Sequence, residues 1–355
     1  MTTYTVDKVL YEQSDFPVFQ NRMYATERLA KDCPRGDIKL VEDRNTGLIY
    51  NSSFRPELMI YDENYQNEQG VSAHFQNHLE EVSCIVEEYM GRHSLVEVGC
   101  GKGLFLEKLL DKGIDVTGFD PTYEGSNSKV QRRYFEPGLG ISGTGLILRH
   151  VLEHIQDPFN FLMDLKNANL GKGRIYIEVP CFEWICQKKS WFDIFYEHVN
   201  YFRISDFYRM FENVIKSGKI FGGQYIYVVA ELSSLRTPRR DTDDPVTFPS
   251  DFTNSLSERS IGTTAKSAIW GGASKGVIFS LLKSRIGQTV DVVIDINPRK
   301  QGKFLPATGI KVQSPEEGLA NLPLGSDIYV MNSNYLHEIK TMSNNAYNYV
   351  QVDHE

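Results

Sequence analysis

The run from Ser94 to Gly103 (SLVEVGCGKG) constrains the fold of this chain more than any other segment. Ser94 to Val98 predicts a short apolar strand, glycines follow at alternate positions, and Leu104 to Asp111 has the apolar spacing of a helix. Glycine accepts positive φ and lets a ligand approach the backbone, and the first N–H groups of a helix have no partner within it. The run therefore predicts a ligand-binding loop at the carboxyl end of a strand.

Strands and helices alternate on both sides of this loop. Further strands are predicted at Ile114–Phe119, Gly145–Leu148, Arg174–Val179 and Tyr225–Ala230, with helices at Val71–Met90, Pro158–Ala168 and Ser205–Phe211. Such alternation indicates a parallel sheet that helices cover on both faces. A second glycine loop, Gly271 to Gly276, follows a predicted strand at Ser267–Trp270 and begins another unit of the same kind, with later strands at Val290–Asp295 and Asp327–Met331.

We therefore predict an α/β protein in four parts. Residues 1–70 form a small β-rich module, and residues 71–235 form a Rossmann-like domain around the first glycine loop. Residues 236–262 are a polar linker rich in Pro, Asp, Ser and Thr. Residues 263–355 form a second Rossmann-like domain.

The charge and the composition exclude several classes of partner. A formal net charge of -8 at pH 7 argues against nucleic acid, which requires a basic surface. No apolar stretch of about 18 residues is present, and the first residues lack the apolar part of a signal peptide, so we expect no membrane partner and a cytoplasmic location. The 5 cysteines are scattered without a CxxC pair, so no metal site is expected. These observations favour a small-molecule substrate.

Two acidic residues flank the first glycine loop. The pattern is GxGxG and not the dinucleotide fingerprint GxGxxG. Glu97, two positions before Gly99, would repel a pyrophosphate but can accept a hydrogen bond from an ammonium group. Asp120 ends the next predicted strand, where a carboxylate can bind both hydroxyls of a ribose. The alternative is a structural glycine turn followed by an ordinary surface aspartate.

These residues, together with Leu148 to Pro158 (LRHVLEHIQDP), resemble the class I methyltransferases that use S-adenosylmethionine (SAM). In that family the residues after the fourth strand lie near the adenine or the methyl group. The resemblance implies a Rossmann-like domain with SAM as cofactor. The residues that it implies for SAM binding are Glu97, Gly99, Cys100, Gly101, Gly103, Asp120, Arg149 and His150.

Other segments resemble the sugar C-methyltransferases, which act on nucleotide-linked keto-deoxysugars. They are Phe192 to Phe202 (FDIFYEHVNYF), Phe221 to Gln224, and much of the C-terminal part from Ala268 to Leu336. The resemblance implies a nucleotide-linked sugar as acceptor. The implied substrate-binding residues are Tyr201, Gly222, Gly223, Lys275 and Arg299. Packing is the alternative role for Tyr201, and a solvated surface position is the alternative for Lys275 and Arg299.

Methylation of carbon requires that a base remove a proton next to a carbonyl group, while a donor stabilises the enolate that forms. The resemblance implies that His198 or Glu197 is this base, with His154 and Tyr196 as helpers. A lone histidine after a strand is as often a surface or core residue, and this alternative stays open for His154.

The chain departs from the resembled pattern in two places. The sugar C-methyltransferases carry an N-terminal zinc module with two cysteine pairs, whereas here only Cys33 remains and Asp43 and Thr46 stand near the second pair, so we predict a module without metal. A tyrosine that is frequent two positions before Glu197 is Phe195 here. This change leaves O-methylation of a sugar or another small metabolite as an alternative. An NAD(P)-dependent oxidoreductase and a non-catalytic binding protein are the remaining alternatives.

Overall fold

A computed structural model of the protein describes residues 6–60, 70, 72–257 and 266–353. Within these ranges the chain forms three β-sheets of four, seven and five strands. Several predicted features lie outside the described residues, namely Val71 as the helix start, residues 258–262 of the linker and the boundary between residues 262 and 263. Among the helices in the described ranges, none combines the length and the apolar character that crossing a membrane requires.

The first sheet is antiparallel and comes mainly from the N-terminal segment. Its strands and helix are β1 (Lys8–Pro17), α1 (Glu27–Lys31), β2 (Arg35–Glu42) and β3 (Ile49–Asn51). The edge next to β3 is completed by Asn200–Tyr201, a short strand from much later in the chain. The N-terminal sheet is thereby tied to the segment that carries the Tyr-Glu-His motif.

The turn between β2 and β3 is closed by side chains. Asp43 Oδ1 accepts hydrogen bonds from the backbone N–H of Asn45 at 2.9 Å and from Thr46 Oγ1 at 2.8 Å. Such side-chain-to-backbone bonds stabilise a turn locally. Cys33 lies buried under this sheet. A module without metal stays a prediction, and the Asp43 turn gives it a way to hold its shape.

The part of the chain that forms the central sheet contains, in chain order, α2 (Ala73–Met90), β4 (Leu95–Val98), α3 (Leu104–Asp111), β5 (Val116–Phe119), β6 (Val130–Gln131), β7 (Gly145–Arg149), α4 (Pro158–Ala168), β8 (Arg174–Pro180), α5 (Phe182–Gln187), β9 (Asn200–Tyr201), α6 (Ile204–Met210), β10 (Val214–Ile220) and β11 (Tyr225–Glu231). Strand β9 belongs to the first sheet, and the central sheet has the order β10-β11-β8-β7-β4-β5-β6. Strands β6, β5, β4, β7 and β8 are parallel, whereas β11 and β10 run antiparallel to β8. The parallel core was predicted, and β10 was missed because all of its residues except Ile220 are half-buried or exposed, without a regular apolar pattern.

The third sheet is parallel throughout, with the order β14-β13-β12-β15-β16. Its elements are β12 (Ser267–Trp270), α7 (Ser274–Arg285), β13 (Val292–Ile294), β14 (Val312–Gln313), α8 (Pro315–Ala320), β15 (Asp327–Val330), α9 (Leu336–Met342) and β16 (Asn348–Gln351). In an open sheet of this order, ligands bind where the direction of strand succession reverses, here between β12 and β15. The second glycine loop follows β12 at that point.

The part of the predicted linker that is described packs against the N-terminal sheet. Val246 and Phe252 are buried, and Lys8 Nζ donates a hydrogen bond to the Val246 carbonyl at 2.9 Å. Arg240 Nε lies 2.8 Å from Glu42 Oε1, a carboxylate that is itself buried. The polar composition predicted a linker, and its scattered apolar residues anchor the described part of it.

One hydrophobic cluster extends across all three sheets. Trp191 stacks on Phe279 of α7 with ring centroids 5.2 Å apart. Tyr24 and Phe304 exchange two backbone hydrogen bonds of 3.1 and 2.9 Å, which tie the C-terminal unit to the N-terminal module. The carboxyl edges of the two parallel sheets therefore face a common interior, and the candidate site lies there.

Candidate active site

The first glycine loop adopts the conformation that its sequence predicted. Gly99, Gly101 and Gly103 have φ of 71°, 54° and 80°, and Gly103 precedes the first residue of α3. A Cβ on Gly99 would lie 2.5 Å from Val151 Cγ2, whereas a Cβ on Gly101 would meet nothing within 4 Å. Gly101 therefore faces open space, as a position where a ligand lies on the backbone must.

Asp120 braces this loop. Its Oδ2 accepts a hydrogen bond from the Gly101 N–H at 2.8 Å, and its Oδ1 accepts from the Thr122 N–H at 2.8 Å and from Thr122 Oγ1 at 2.7 Å. Asp120 is nearly buried and does not line the cavity described next. In this structure the carboxylate fixes the loop, and its contact with a ribose stays a prediction.

A cavity of about 270 Å³ opens at the carboxyl edge of β4, β7 and β8. Small-molecule sites usually occupy such an edge. Of the predicted site residues, those that line it are Glu97, Gly99, Cys100, Gly101, Arg149, His150, His154, His198 and Lys275. Those that do not line it are Gly103, Asp120, Tyr196, Glu197, Tyr201, Gly222, Gly223 and Arg299. Most of the predicted SAM residues therefore come together, and most of the predicted substrate residues do not.

Glu97 is a buried carboxyl group with an unused oxygen. It is 3 % exposed, and its Oε2 has no hydrogen-bond partner in the described part of the chain. Burial raises the pKa of Glu97 from 4.5 to about 8, with Asp120 and Glu178 adding to the rise and Arg149 opposing it. An ammonium group would supply the missing partner and favour the ionised form. Glu97 and the open backbone at Gly101 thus fit the amino-acid end of SAM.

Glu178, in the middle of β8, is the buried hub of the cavity wall. Its two oxygens accept hydrogen bonds from Arg149 Nε at 3.0 Å and Nη2 at 3.2 Å, and from the Tyr176 hydroxyl at 2.9 Å. His78 Nε2 and His150 Nε2 lie 2.9 and 3.0 Å from Glu178 Oε1. Burial alone would raise the pKa of Glu178, but Arg149 and the two histidines hold it well below its ordinary value.

The sequence analysis missed Glu178 and His78, although the sequence carries a signal for Glu178. A single carboxylate within an otherwise apolar strand (RIYIEVP) must be paired once that strand is buried. The partners come from two other elements, α2 and β7, so only the fold identifies them.

A second group of titratable residues forms the other end of the cavity. Glu153, which the sequence analysis also missed, is buried, and its Oε1 lies 3.3 Å from His150 Nδ1. Burial would lower the pKa of His150, but Glu153 and Glu178 raise it to about 9. His150 is therefore the cationic link between two carboxylates.

His154 and His198 face each other beside Glu153, with ring centroids 5.0 Å apart. His154 Nδ1 donates to the Glu197 carbonyl at 2.9 Å, so that Nε2 carries the lone pair of the neutral ring. Burial, with a smaller contribution from His154, lowers the pKa of His198 to about 3. His198 is thus neutral at physiological pH, and its buried Nδ1 has no partner in the described residues.

Glu197, a predicted base candidate, does not line the cavity, and its role as a base stays a prediction. Its Oε1 accepts hydrogen bonds from the backbone N–H groups of Gln20 and, at 3.2 Å, Asn21, and the residue is buried. His198 lines the cavity, whereas the carboxylate of Glu197 contacts the N-terminal module and holds the chain in position.

Tyr196 and Tyr201 also have structural roles. The Tyr196 hydroxyl accepts from the Arg55 N–H at 2.9 Å, and its ring packs so closely on Gly36 that a Cβ there would lie 2.3 Å from it. The Tyr201 hydroxyl accepts from the Phe195 N–H at 2.9 Å and donates to the Phe195 carbonyl at 3.1 Å. Neither lines the cavity. Tyr201 acts on the site only by fixing Phe195, whose ring does line it.

The predicted glycine pair and Arg299 lie away from the cavity for different reasons. Gly222 and Gly223 form the β10–β11 turn with φ of 65° and 86°, and a Cβ on Gly222 would lie 2.5 Å from Asn334 Oδ1. Turn geometry and packing therefore account for the glycines. Arg299 is exposed and lines neither this cavity nor the adjoining one.

A second cavity of about 220 Å³ adjoins the first at the carboxyl edge of β12 and β15. The residues that line both cavities are Asn21, Tyr225, Ser274 and Lys275. At the junction, Lys275 Nζ lies 2.8 Å from Asp193 Oδ2 and 4.9 Å from the ring centre of Trp184. Of the predicted substrate residues, Lys275 thus occupies the position that could serve ligands in both cavities.

The second glycine loop repeats the bracing of the first. Asp295 Oδ2 accepts from the Gly272 N–H at 2.9 Å and its Oδ1 from the Asn297 N–H at 2.8 Å, as Asp120 does from Gly101 and Thr122. Asp295 and Asn297 line the second cavity, and the buried Asn297 Nδ2 has no partner in the described ranges. The second cavity therefore also has the features of a ligand site.

One protein family matches the parallel part of the central sheet. Residues 85–214 match the protein family described as "Methyltransferase domain". This segment includes the first glycine loop, Asp120, Glu153, Glu178 and His198. The match favours a methyltransferase over the NAD(P)-dependent oxidoreductase that the sequence left open. A search of curated proteins gives no match.

Solved structures similar to this chain include methyltransferases from several sources. The 1,6-didemethyltoxoflavin-N1-methyltransferase of Burkholderia thailandensis is 15% identical over 43% of this chain and 77% of its own, with a TM-score of 0.34. A SAM-dependent methyltransferase of Archaeoglobus fulgidus is 17% identical over 45% of this chain and 100% of its own, with a TM-score of 0.33. A plantazolicin methyltransferase is 16% identical over 49% of this chain and 89% of its own, with a TM-score of 0.37.

Proposed function

Because residues 85–214 match a methyltransferase domain, we propose that the protein transfers a methyl group from SAM to a carbon atom of a nucleotide-linked ketosugar. The first glycine loop would hold SAM, and Glu97 would accept a hydrogen bond from its ammonium group. The sugar lies at the His154–His198 end of the first cavity. The nucleotide extends past Lys275 into the second cavity.

The junction of the two cavities carries this proposal. One cavity contains the glycine loop and the histidines, and the other contains a second loop braced by Asp295. A two-part acceptor fits two joined cavities better than a single compact metabolite does. Lys275 lies where the diphosphate of such an acceptor would pass, and an ammonium group is a suitable phosphate ligand.

The His154–His198 pair supplies the base. The proton next to the keto group passes to an imidazole nitrogen, and the electron pair of the broken C–H bond forms the enolate. Bound SAM would supply the methyl group that the enolate carbon accepts, and its sulfur would keep the electron pair of the broken carbon–sulfur bond. Glu153, buried beside both rings, stabilises the positive charge that the pair acquires.

Besides the base, the positioning of the methyl donor and the acceptor contributes to the rate of methyl transfer. Methyl transfer is an in-line displacement, so holding donor and acceptor at contact distance lowers the barrier strongly. Gly99 and Gly101 fix the donor side, and His154, His198 and Lys275 bound the acceptor side.

O-methylation of a hydroxyl is the second candidate, and Phe195 is the observation in its favour. Its ring centroid lies 4.9 Å from that of His198 on the cavity wall. A phenylalanine there offers no hydroxyl to polarise a keto group. The same histidine pair could remove a proton from a sugar hydroxyl instead.

The test is a panel of nucleotide-linked sugars, each supplied in a keto and a hydroxyl form, incubated with SAM and full-length protein. Mass spectrometry is expected to detect one added methyl group on a keto member, and NMR to place it on carbon. Reactions in D2O should also exchange the proton next to the carbonyl, because the enolate forms reversibly. Methylation of hydroxyl forms alone would establish the second candidate, and no methylation of any nucleotide-linked sugar would refute the proposed acceptor class.

A further inference from the structure

Three side chains converge at the inner end of the first cavity. One donor atom from each of Glu153, His154 and His198 lies within 4.8 Å of the other two, and all three residues line the cavity. Glu153 and His154 are adjacent in the short 3-10 turn at Leu152–His154, and His198 comes from the segment before β9. Two imidazoles and one carboxylate are a set that Zn²⁺ and its neighbours among the transition metals prefer.

Two of the donors have unused, buried polar atoms. Glu153 is 1% exposed and its Oε2 has no hydrogen-bond partner in the described residues. His198 Nδ1 is likewise buried without a partner there. A buried polar atom without a partner costs about 1–3 kcal/mol, so native structures rarely retain one that no ligand uses. These atoms point to a ligand that supplies positive charge or accepts lone pairs.

The other hydrogen bonds of these residues orient their donor atoms. In known metal sites, a hydrogen bond to the atom that does not bind the ion has the same effect. His154 Nδ1 donates to the Glu197 carbonyl, which leaves the lone pair of His154 on Nε2. His150 occupies Glu153 Oε1 and leaves Oε2 free. A histidine ligand typically donates its other ring N–H to a carbonyl or carboxylate in this way.

A neighbouring cluster of the same composition shows the contrast. His78, His150 and Glu178 also lie within 4.8 Å of one another. There the donor atoms already bond to each other at 2.9 and 3.0 Å, and Arg149 neutralises the carboxylate. His78 Nδ1 is also buried without a partner in the described residues, but both oxygens of Glu178 accept hydrogen bonds, whereas Glu153 Oε2 accepts none there.

We propose that Glu153, His154 and His198 bind one divalent transition-metal ion, with a further coordination position open to the cavity. Bonds of about 2.0–2.2 Å to tetrahedral Zn²⁺ place donor atoms about 3.5 Å apart, so small side-chain rotations close the site. The sequence analysis expected no metal because it searched for cysteine pairs, and these histidines come together only in the fold.

The effect of a bound metal ion on methyl transfer rests on the proposed function. A metal ion and a proton compete for the same imidazole lone pairs, so the ion blocks the base that the His154–His198 pair provides. Micromolar Zn²⁺ is therefore expected to suppress methyl transfer to any acceptor found in the panel, and a chelator to restore it. Stimulation by Zn²⁺ would overturn this competition.

Metal binding itself is tested without an acceptor, so its failure is distinguishable from failure of the proposed function. Untagged, chelator-treated full-length protein is titrated with Co²⁺, and visible d–d absorption that saturates at one ion per chain is expected. X-ray absorption of the Zn²⁺ form should show nitrogen and oxygen ligands. Absence of the d–d bands, or sulfur ligands from the cysteines, would overturn the site.

Variants locate the ion. Glu153→Gln and His154→Ala are each expected to weaken Co²⁺ binding by about tenfold or more, because each removes a ligand. His93→Ala removes an exposed histidine outside the cavity and should leave the titration unchanged. Equal Co²⁺ affinity in all four proteins would place the ion elsewhere. If a variant does not fold, the X-ray absorption of the wild-type protein still decides.

Discussion

Glu178 on β8 and Arg149 on the adjacent strand β7 form a doubly hydrogen-bonded ion pair whose carboxylate is fully buried. A buried charge is stabilised only while its partners remain. Arg149 and His150 line the cavity, so their orientation depends on a carboxylate that does not line it. Glu178 is therefore a positioning residue for the cavity wall.

Removing the charge of Glu178 should destabilise the protein strongly. We expect Glu178→Gln to lower the free energy of unfolding by about 3 kcal/mol, because Arg149 and His150 lose their shared counter-charge inside the protein. Tyr176→Phe removes one hydrogen bond to the same carboxylate and should cost only about 1 kcal/mol. Urea denaturation measures both, and equal losses would contradict the role of Glu178 as a hub.

Glu97 should determine affinity for SAM. Glu97→Gln replaces a charged acceptor by a neutral one, and a charge-assisted hydrogen bond contributes about 1.5–3 kcal/mol. We expect calorimetry to show SAM binding about 10- to 100-fold weaker. Glu81→Gln, on the exposed face of α2, is the matched control and should bind SAM as the wild type does. Unchanged affinity in Glu97→Gln would remove the ammonium contact from the proposal.

The raised pKa of Glu97 predicts how stability without SAM depends on pH. Because burial raises the pKa from 4.5 to about 8, this group favours the folded state fully below pH 4.5, and the contribution is lost as the pH rises through about 8. Glu97→Gln should abolish this part of the pH dependence. Thermal melts of both proteins across that range measure the difference, and parallel curves would show that Glu97 titrates normally.

SAM binding should release a proton from the same group. An ammonium group beside Glu97 lowers its pKa, so at pH 7 the binding of SAM is coupled to deprotonation. Calorimetry in buffers with different ionisation enthalpies is expected to show up to about one proton released by the wild type. Glu97→Gln should release less, and equal release would assign the proton to another group.

Asp120 and Asp295 each accept a hydrogen bond from a glycine of one glycine loop, so their alanine variants form a matched pair. Asp120→Ala frees the Gly101 N–H and should weaken SAM binding by about tenfold, because the loop loses its fixed conformation. Asp295→Ala makes the same change at Gly272 in the second cavity and should leave SAM affinity unchanged while weakening a nucleotide ligand. Calorimetry with SAM and with a nucleoside diphosphate separates the two. Loss of SAM affinity in both would contradict separate roles for the loops.

The sequence predicted what is local. Gly99 to Gly103, Glu97 and the following helix belong to one contiguous strand–loop–helix unit, so pattern alone located them. The segment with Tyr196, Glu197 and His198 was located, but the sequence does not say which of these adjacent side chains faces the cavity, and only His198 lines it. Glu153 and Glu178 gain their roles only when β7, β8 and the segment before β9 are brought together, which depends on packing between distant parts of the chain.

The pairing of β3 with β9 gives the small N-terminal sheet a role, which is to position the segment before β9. Residues just before β9 are held by Asn51, whose N–H donates to the Val199 carbonyl, and by the Val199 N–H on the Glu153 carbonyl, both at 2.7 Å. His198 therefore lies between Val199, held by these two hydrogen bonds, and Glu197, held by the backbone of Gln20 and Asn21. Deleting β1, β2 and β3 would thus leave the proposed SAM site assembled but remove the contacts that hold His198, the proposed base, in position. Such a truncated enzyme should still capture its cofactor and yet turn over poorly.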